Sequence, residues 1–293
     1  MPTITNKNGI PDPIFRSIKK GWYSGSNVKQ FASVTGLLKP PKIFVLEKRH
    51  ADNITEEASD LIWSLMGSAM HAVLEKSEWE HSINEERLFA TFGDKTISGA
   101  VDLYENRTIS DYKFTSVWTY IFKSRIKEWT EQLNIYGYLF RKVGFQVDKL
   151  KVITIFRDWS KSKYKYEKRY PKQIETINLK VWSDEKVESF IMNQIKLFEM
   201  ALRLPDDEIP VCLPEERWQK IKWAVTKKDA QRATKLFDKK SDAEDYIRKT
   251  KRDDLIVEIR ESEPIRCQDY CRCNSFCDYY QGLLNKQKVA QYL

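Results

Sequence analysis

The 293-residue sequence has no run of about 18 uncharged apolar residues, the length that an apolar helix needs to cross a bilayer. Its first residues, MPTITNKNGIPDPIF, lack the basic and then apolar pattern of a secretory signal. Internal repeats and low-complexity segments are also missing. We therefore expect a folded protein that stays in the cytoplasm and has no membrane partner.

Cysteine is scarce, with five residues in the chain, and a reducing cytoplasm disfavours disulfides between them. Four of them lie within eleven residues, in RCQDYCRCNSFC, and Cys212 lies far upstream. Four thiolates with this C-x3-C-x-C-x3-C spacing suit zinc or an iron–sulfur cluster. The alternative is a set of buried free cysteines, but the polar and aromatic neighbours favour metal binding.

Basic residues outnumber acidic ones by 50 to 42, and the net charge of +8 favours a polyanionic partner such as nucleic acid. The excess is concentrated in residues 157–173, with seven basic and two acidic residues, and in residues 219–240, with eight and two. The first stretch also contains aromatic rings, a mixture that suits a single strand with phosphates on the cations and bases on the rings. The alternative for both stretches is a solvated lysine-rich surface. The predicted contacts are Lys161, Lys163, Lys165, Arg169, Lys227 and Lys228, and the rings are Trp159, Tyr164, Tyr166 and Tyr170.

Hydrophobic periodicity predicts an α/β core, and 41% apolar residues are enough to bury one. Early prolines, among them Pro11, Pro13, Pro40 and Pro41, predict an irregular entry segment. The expected divisions are an N-terminal irregular or helical segment at 1–55, the core at 56–205 and a C-terminal module with the cysteines at 206–293.

The spacing of apolar residues also predicts the order of elements in the core. In order, we expect a helix at about 56–75, a hairpin around Glu105-Asn106-Arg107, a helix at about 123–143, a strand in DKLKVITIFRDW and a helix at about 184–203. Beyond Pro205, two strands, a short helix and a further strand predict a compact module between Cys212 and Cys267.

The hairpin segment ISGAVDLYENRTISDYKFTS places Asp102 on one strand and Asp111-Tyr112-Lys113 on the next. Phosphodiester cleavage needs a hard divalent cation held by oxygen ligands, a water that it activates, and positive charge for the transition state. The two carboxylates supply the oxygens, and the Tyr112 carbonyl is a further ligand. Lys113 lies two residues beyond Asp111, on the same strand face, and can orient the water or stabilise the transition state. We therefore expect a site for Mg²⁺ or Mn²⁺.

The first predicted helix carries a further candidate ligand. His71 lies in GSAMHAVLE on this helix, and an imidazole ligand would favour Mn²⁺.

The ordered series GSAMHAVLE, GAVDLYE, DYK and QLNIY closely resembles the PD-(D/E)XK nuclease superfamily, in particular its RecB-like exonuclease branch. The similarity covers roughly residues 55 to 160. It implies a restriction-endonuclease-like core, a mixed sheet flanked by helices, with a C-terminal cysteine-bound α+β module. It further implies that His71, Asp102 and Asp111 bind the metal, that Lys113 is the catalytic lysine, and that Gln132 and Tyr136 support the site. The last two are four residues apart on the second predicted helix, so both can face the site. The alternative for Tyr136 is a core aromatic residue of that amphipathic helix.

The cysteines look similar to those of RecB-like exonucleases, including CRISPR-associated ones, that ligate a 4Fe-4S cluster. The similarity implies Cys212, Cys267, Cys271 and Cys277 as ligands and leaves Cys273 spare; zinc is the alternative. The chain departs from the usual arrangement because its first cysteine follows the nuclease core and because a fifth thiol is present.

Together these features predict a metal-dependent DNA exonuclease that acts on DNA ends in recombination, repair or phage DNA processing. Host cytoplasm is expected if a phage encodes it. The alternative is a DNA-binding or end-processing subunit whose nuclease needs a recombination or CRISPR-type protein partner. An endonuclease is disfavoured, because no base-reading element such as a helix-turn-helix is recognisable.

Overall fold

A computed structural model of the chain describes residues 2–21, 30–76, 82–228, 230 and 232–291. The chain divides into two compact units: Met1–Lys39 with Asp52–Arg203, and Pro40–Ala51 with Leu204–Leu293. We call them the first and the second unit. In the described residues, no helix is both long and apolar enough to cross a membrane.

Eleven strands are found in the described residues. They are β1 (Thr3–Thr5), β2 (Ala32–Ser33), β3 (Thr55–Glu57), β4 (Ile83–Phe92), β5 (Lys95–Glu105), β6 (Thr108–Thr115), β7 (Lys149–Phe156), β8 (Ile174–Leu179), β9 (Ile221–Lys227), β10 (Ala233–Phe237) and β11 (Leu255–Glu261).

The α-helices of the same residues include long ones that pack on the sheets and short ones that connect strands. They are α1 (Asp12–Lys20), α2 (Val34–Leu37), α3 (Pro41–Arg49), α4 (Ile62–Glu75), α5 (Val117–Ile121), α6 (Ile126–Lys142), α7 (Lys161–Tyr166), α8 (Asp184–Leu202), α9 (Lys240–Thr250) and α10 (Asp278–Gln291).

The first unit contains a six-stranded mixed sheet in the order β2-β5-β6-β7-β8, with β4 also paired to β5. The β5–β6 and β7–β8 pairs are antiparallel, whereas β6 and β7 are parallel. Helix α6 packs on β4, β5, β6 and β7, and α4 packs on β6. This mixed α/β architecture confirms the predicted sheet with flanking helices and is compatible with a restriction-endonuclease-like fold.

Helix α6 buries apolar residues against this sheet because they recur at helical spacing. Trp129, Leu133 and Phe140 are each at most 3% exposed. The polar Gln132 is buried in the same row, although burial of an amide costs free energy unless it is hydrogen-bonded. The Gln132 amide therefore lies on the side of α6 that faces the sheet, near Asp111 of β6.

The N-terminal segment is more helical than the prolines predicted. Pro11 is the N-cap of α1 and Pro13 lies in its first turn, while Pro40 and Pro41 stand in the same places in α3. Proline is well accommodated there, since the first helical N–H groups have no intrahelical partner. These prolines therefore begin helices and do not interrupt them.

The second unit contains a three-stranded antiparallel sheet in the order β10-β9-β11. Val225 and Leu255 of the sheet and Ala243 of α9 form its small buried core. Helix α3 also belongs to this unit, whereas the expected C-terminal module began at residue 206.

Candidate functional site

The hairpin of β5 and β6 places two carboxylates opposite each other where the strands separate. Asn106 and Arg107 form its two-residue turn with positive φ values of 48° and 57°, as the favoured hairpin turn requires. The ladder pairs Glu105 with Thr108 and ends at Leu103 with Ser110, so the next residues in register would be Asp102 and Asp111. Strand pairing therefore sets the carboxylates side by side.

At this point the Asp102 side chain accepts a hydrogen bond that a backbone carbonyl would accept within the ladder. Its Oδ2 accepts a hydrogen bond from the backbone N–H of Tyr112 at 2.7 Å. His71 Nδ1 of α4 lies 3.5 Å from the same oxygen. The Tyr112 ring packs edge-on against the His71 ring, with centroids 6.4 Å apart. These contacts join α4 to the strand that carries the second carboxylate.

Asp111 and Lys113 form the centre of the site. The Lys113 Nζ lies 2.6 Å from Asp111 Oδ2, and the side chains are 25% and 3% exposed. The ammonium is close enough for an ion pair with this buried oxygen. Asp111 and Lys113 therefore form a largely buried ion pair at the centre of the site.

Helix α6 supports Asp111 from the opposite side. Gln132 Nε2 donates to the Tyr136 hydroxyl at 3.0 Å and makes a long contact of 3.5 Å with Asp111 Oδ1. Tyr136 in turn packs on Gly99 of β5, where an added Cβ would stand 2.6 Å from the ring. The glycine of GAVDLYE thus leaves room for the tyrosine, a role that sequence reasoning missed although the residue stands in the motif.

Burial and the nearby charge of Asp111 raise the pKa of Asp102 to about 7, against the lowering effects of His71 and Lys113. Burial acts to lower the pKa of Lys113, but Asp111 and Asp102 together raise it above its usual value, so the amine is charged at neutral pH. Two close carboxylates in a buried place are an arrangement that a cation stabilises.

A divalent cation needs several oxygen or nitrogen ligands. Across the described ranges, no group of three or more His, Cys, Asp or Glu side chains is arranged to hold a metal ion. The chemistry of the residues nevertheless fits one, because His71 lies 3.5 Å from Asp102 and the neighbouring Asp111 contributes to the raised pKa of Asp102, so positive charge would stabilise both carboxylates. Carboxylate oxygens are the ligands that Mg²⁺ and Mn²⁺ prefer.

All five cysteines line one cavity in the second unit. The lining cysteines are Cys212, Cys267, Cys271, Cys273 and Cys277. The sulfurs of Cys271 and Cys273 are 3.5 Å apart, and Cys273 is fully buried. The distant Cys212 thus lies in the same cavity as the local cluster. The predicted spare thiol, Cys273, lines that cavity together with the four expected ligands.

The cavity contains cations that sequence reasoning missed. Lys42, Arg217 and Arg266 line it together with the sulfurs. Lys42 is 1% exposed; its Nζ donates to the carbonyl oxygens of Asp206 and Ile209 at 3.0 Å each and lies 2.5 Å from Asp278 Oδ1.

The basic stretches are exposed as expected, but their rings are not equally available. The six predicted contacts Lys161, Lys163, Lys165, Arg169, Lys227 and Lys228 are all exposed. Tyr164 and Tyr166 are 45% and 84% exposed. Tyr170 is 7% exposed within a core cluster, and the Trp159 indole donates to the Pro171 carbonyl at 3.0 Å. The prediction that Tyr170 receives a base was therefore wrong, because the ring is buried against Val117 and Phe156.

Comparison with known proteins gives one family match and distant structural similarity. Residues 214–263 match a family of uncharacterized proteins conserved in bacteria, DUF2188. This range contains the three strands and the helix α9 of the second unit and is a minor part of the chain. No match was found among curated proteins.

Two solved structures are similar at low identity. The crystal structure of SSO0001 aligns with 16% identity and a TM-score of 0.42, covering 63% of this chain and 83% of that one. A phage related exonuclease from Haemophilus somnus 129PT aligns with 13% identity and a TM-score of 0.29, covering 65% and 79%. Neither similarity is high enough to assign an activity to this chain.

Proposed function

We propose that the protein is a metal-dependent deoxyribonuclease that hydrolyses DNA from an end. The observation that carries this proposal is that Asp102 and Asp111 follow the last β5–β6 pair in register and are close enough for the charge of Asp111 to raise the pKa of Asp102, with the Lys113 ammonium 2.6 Å from Asp111. Two buried carboxylates and a charged amine are the side chains that hydrolysis of a phosphodiester requires.

Asp102, Asp111 and His71 would hold Mg²⁺ or Mn²⁺, with the Tyr112 carbonyl as a further ligand. The cation would supply a water nucleophile at neutral pH and stabilise negative charge on the phosphate. The side chain of Lys113 orients that water or stabilises the anionic transition state, and its raised pKa keeps it charged for this role. Gln132 and Tyr136 position Asp111 and are positioning residues rather than catalytic ones.

The second unit is proposed to bind a 4Fe-4S cluster, or zinc, through Cys212, Cys267, Cys271 and Cys277. Three cations line the same cavity as the thiols, and positive charge lowers the free energy of thiolates. The role proposed for this centre is to hold the C-terminal segment to the rest of its unit.

The test is a release assay with purified full-length chain, end-labelled single- and double-stranded DNA, and Mn²⁺. We expect nucleotide release by the wild type and a loss of about 10³-fold for Lys113→Ala or Asp111→Ala, because each removes a charge needed in the transition state. Lys149→Ala, at the exposed start of β7, is the matched control and should retain activity.

Retained cleavage by Lys113→Ala or Asp111→Ala would contradict the assignment. Wild-type protein that binds DNA but releases no nucleotide would favour the partner-dependent subunit instead. Covalently closed circular DNA distinguishes an exonuclease from an endonuclease, because it has no ends and only an endonuclease can cut it.

A further inference from the structure

Two stacked aromatic rings are exposed to solvent on α5 and its C-cap residue. Trp118 and Phe122 are 46% and 71% exposed. Their ring centroids lie 5.8 Å apart, and the planes differ by 20°. A spacing of four residues places both rings on one helix face. Large aromatic rings usually gain stability from burial, so an exposed stacked pair presents a surface for another flat apolar group.

The rest of α5 fixes these rings in place. Val117 packs with Phe156 in a buried cluster on the opposite side of the helix. Asp158 accepts hydrogen bonds from the Ser116 hydroxyl at 2.6 Å and from the Val117 backbone N–H at 2.8 Å. A partner that binds such a fixed surface loses less free energy to ordering than one that binds a mobile side chain.

Cations lie next to exposed rings on the same unit. Lys163 Nζ is 5.5 Å from the centre of the Trp118 ring. Arg157 lies 4.4 Å from the ring of Trp63, which is itself 52% exposed. Alternating rings and cations match a ligand in which flat apolar groups alternate with negative charges.

The rings follow directly on the strand that carries the carboxylate site. The parallel strands β6 and β7 end at the same edge of the sheet, where the Arg157 N–H donates to the Thr115 carbonyl at 3.0 Å. Lys113 is two residues before Thr115, and α5 begins two residues after it. From Asp111 to Thr115 the strand rises roughly 13 Å, so the rings begin within a few nucleotides of the site.

We propose that Trp118 and Phe122 form a base-stacking platform for single-stranded DNA, with Lys163 and Arg157 contacting its phosphates. The proposal deepens the proposed nuclease function and rests on it. Single-stranded DNA is the occupant that the surface fits, because its bases expose their faces to aromatic rings while those of a duplex are covered. The adjacent cations complement the phosphates.

The test is fluorescence anisotropy of a labelled oligothymidine and of a blunt duplex, with full-length protein in EDTA so that no cleavage occurs. The variants are Trp118→Ala with Phe122→Ala, the ring-preserving pair Trp118→Phe with Phe122→Tyr, and Phe122→Ala alone as the mildest change. Phe89→Ala, a partly exposed ring on β4, is the control. Thermal unfolding checks that each variant is folded.

We expect the double alanine variant to bind the single strand about 10- to 100-fold more weakly, since one stacked base contributes about 1–3 kcal/mol. The ring-preserving pair should bind within about threefold of wild type, and the control should not change. Lys163→Gln should reduce the salt dependence of binding by about one phosphate contact. Duplex affinity should change little in every aromatic variant.

Unchanged single-strand affinity in the double alanine variant would overturn the platform, as would an equal loss for the duplex or no rescue by the ring-preserving pair. Wild-type protein that does not bind the oligothymidine would overturn it as well. Since binding is measured without metal, weakened binding beside an inactive wild type would refute the nuclease and leave the platform standing. If the wild type is active and the double alanine variant binds the single strand as tightly as the wild type, the platform is refuted and the nuclease remains.

Discussion

The two polar clusters of this protein are assembled over different distances in the sequence. Asp102 and Asp111 are nine residues apart, and a hairpin register brings them side by side. The cysteine cavity joins Cys212 and the segment from Cys267 to Cys277 with Lys42, which lies at the other end of the chain. The first cluster needs one correct turn, whereas the second needs the whole unit to fold.

The clusters also differ in charge before any metal binds. Asp111 sits in the first cluster beside a charged Lys113, and its charge contributes to the high pKa of Asp102. In the second cluster, burial raises the pKa of Cys212 to about 12 and that of Cys267 to about 11. Those thiols are neutral at pH 7, so metal binding there must release protons and strengthen as the pH rises.

The largest effect is expected from Cys212→Ser, which removes the distant thiol of the second cluster. The variant should lose bound iron or zinc, and its melting temperature should fall by on the order of 10 °C, because metal binding in such a unit is folding free energy. Metal analysis, the visible absorption spectrum and thermal unfolding measure this.

Cys273→Ser is the matched control, since Cys273 is the predicted spare thiol. It should retain the metal. Equal loss of metal from both variants would show that the four-ligand set is wrong, and retained metal in Cys212→Ser would show that the centre does not depend on the distant cysteine.

A smaller effect is expected from Lys42→Met, which tests whether long-range contacts hold the second cluster. The change leaves the carbonyl oxygens of Asp206 and Ile209 without their donor and should reduce the free energy of unfolding by about 3 kcal/mol. Chemical denaturation measures it. Lys249→Met, at an exposed position of α9 in the same unit, should change it by less than about 0.5 kcal/mol. Equal effects would mean that the buried ammonium has no special role.

The smallest effect is expected from Gly99→Ala, which tests the local geometry of the first cluster. The new Cβ would stand 2.6 Å from Tyr136, so the ring must move and carry Gln132 away from Asp111. Such overpacking costs about 1–3 kcal/mol, and we expect nuclease activity to fall about tenfold with the metal content of the cysteine centre unchanged.

Gly67→Ala is the control for stability, because an added Cβ on this residue of α4 meets nothing within 4 Å. It should leave the melting temperature unchanged or raise it, since alanine favours a helix over glycine. A normal melting temperature in Gly99→Ala would argue against the close contact with Tyr136.

Much of the first unit was predictable because its signals are local. The strands that carry Asp102 and Asp111 were predicted from the apolar residues on either side of the turn at 105–107, and the expected helix at 123–143 is α6 with bounds shifted by a few residues at most. The polar Gln132 was predicted from the family resemblance, and its spacing of four residues from Tyr136 is consistent with both facing one site. The role of Gly99 was missed, because the group that requires a glycine there is the Tyr136 ring of α6, which is distant in the sequence.

Sequence by itself determined the elements and the side-by-side carboxylates, because periodicity and hairpin register act between residues that are close along the chain. Tertiary structure alone decided that α3 and Lys42 belong with the cysteines, that Tyr170 is buried, and that Trp118 and Phe122 remain exposed. The physical reason is that burial depends on contacts between distant segments, and neither the prolines of α3 nor the composition around Tyr170 records which surface will cover them.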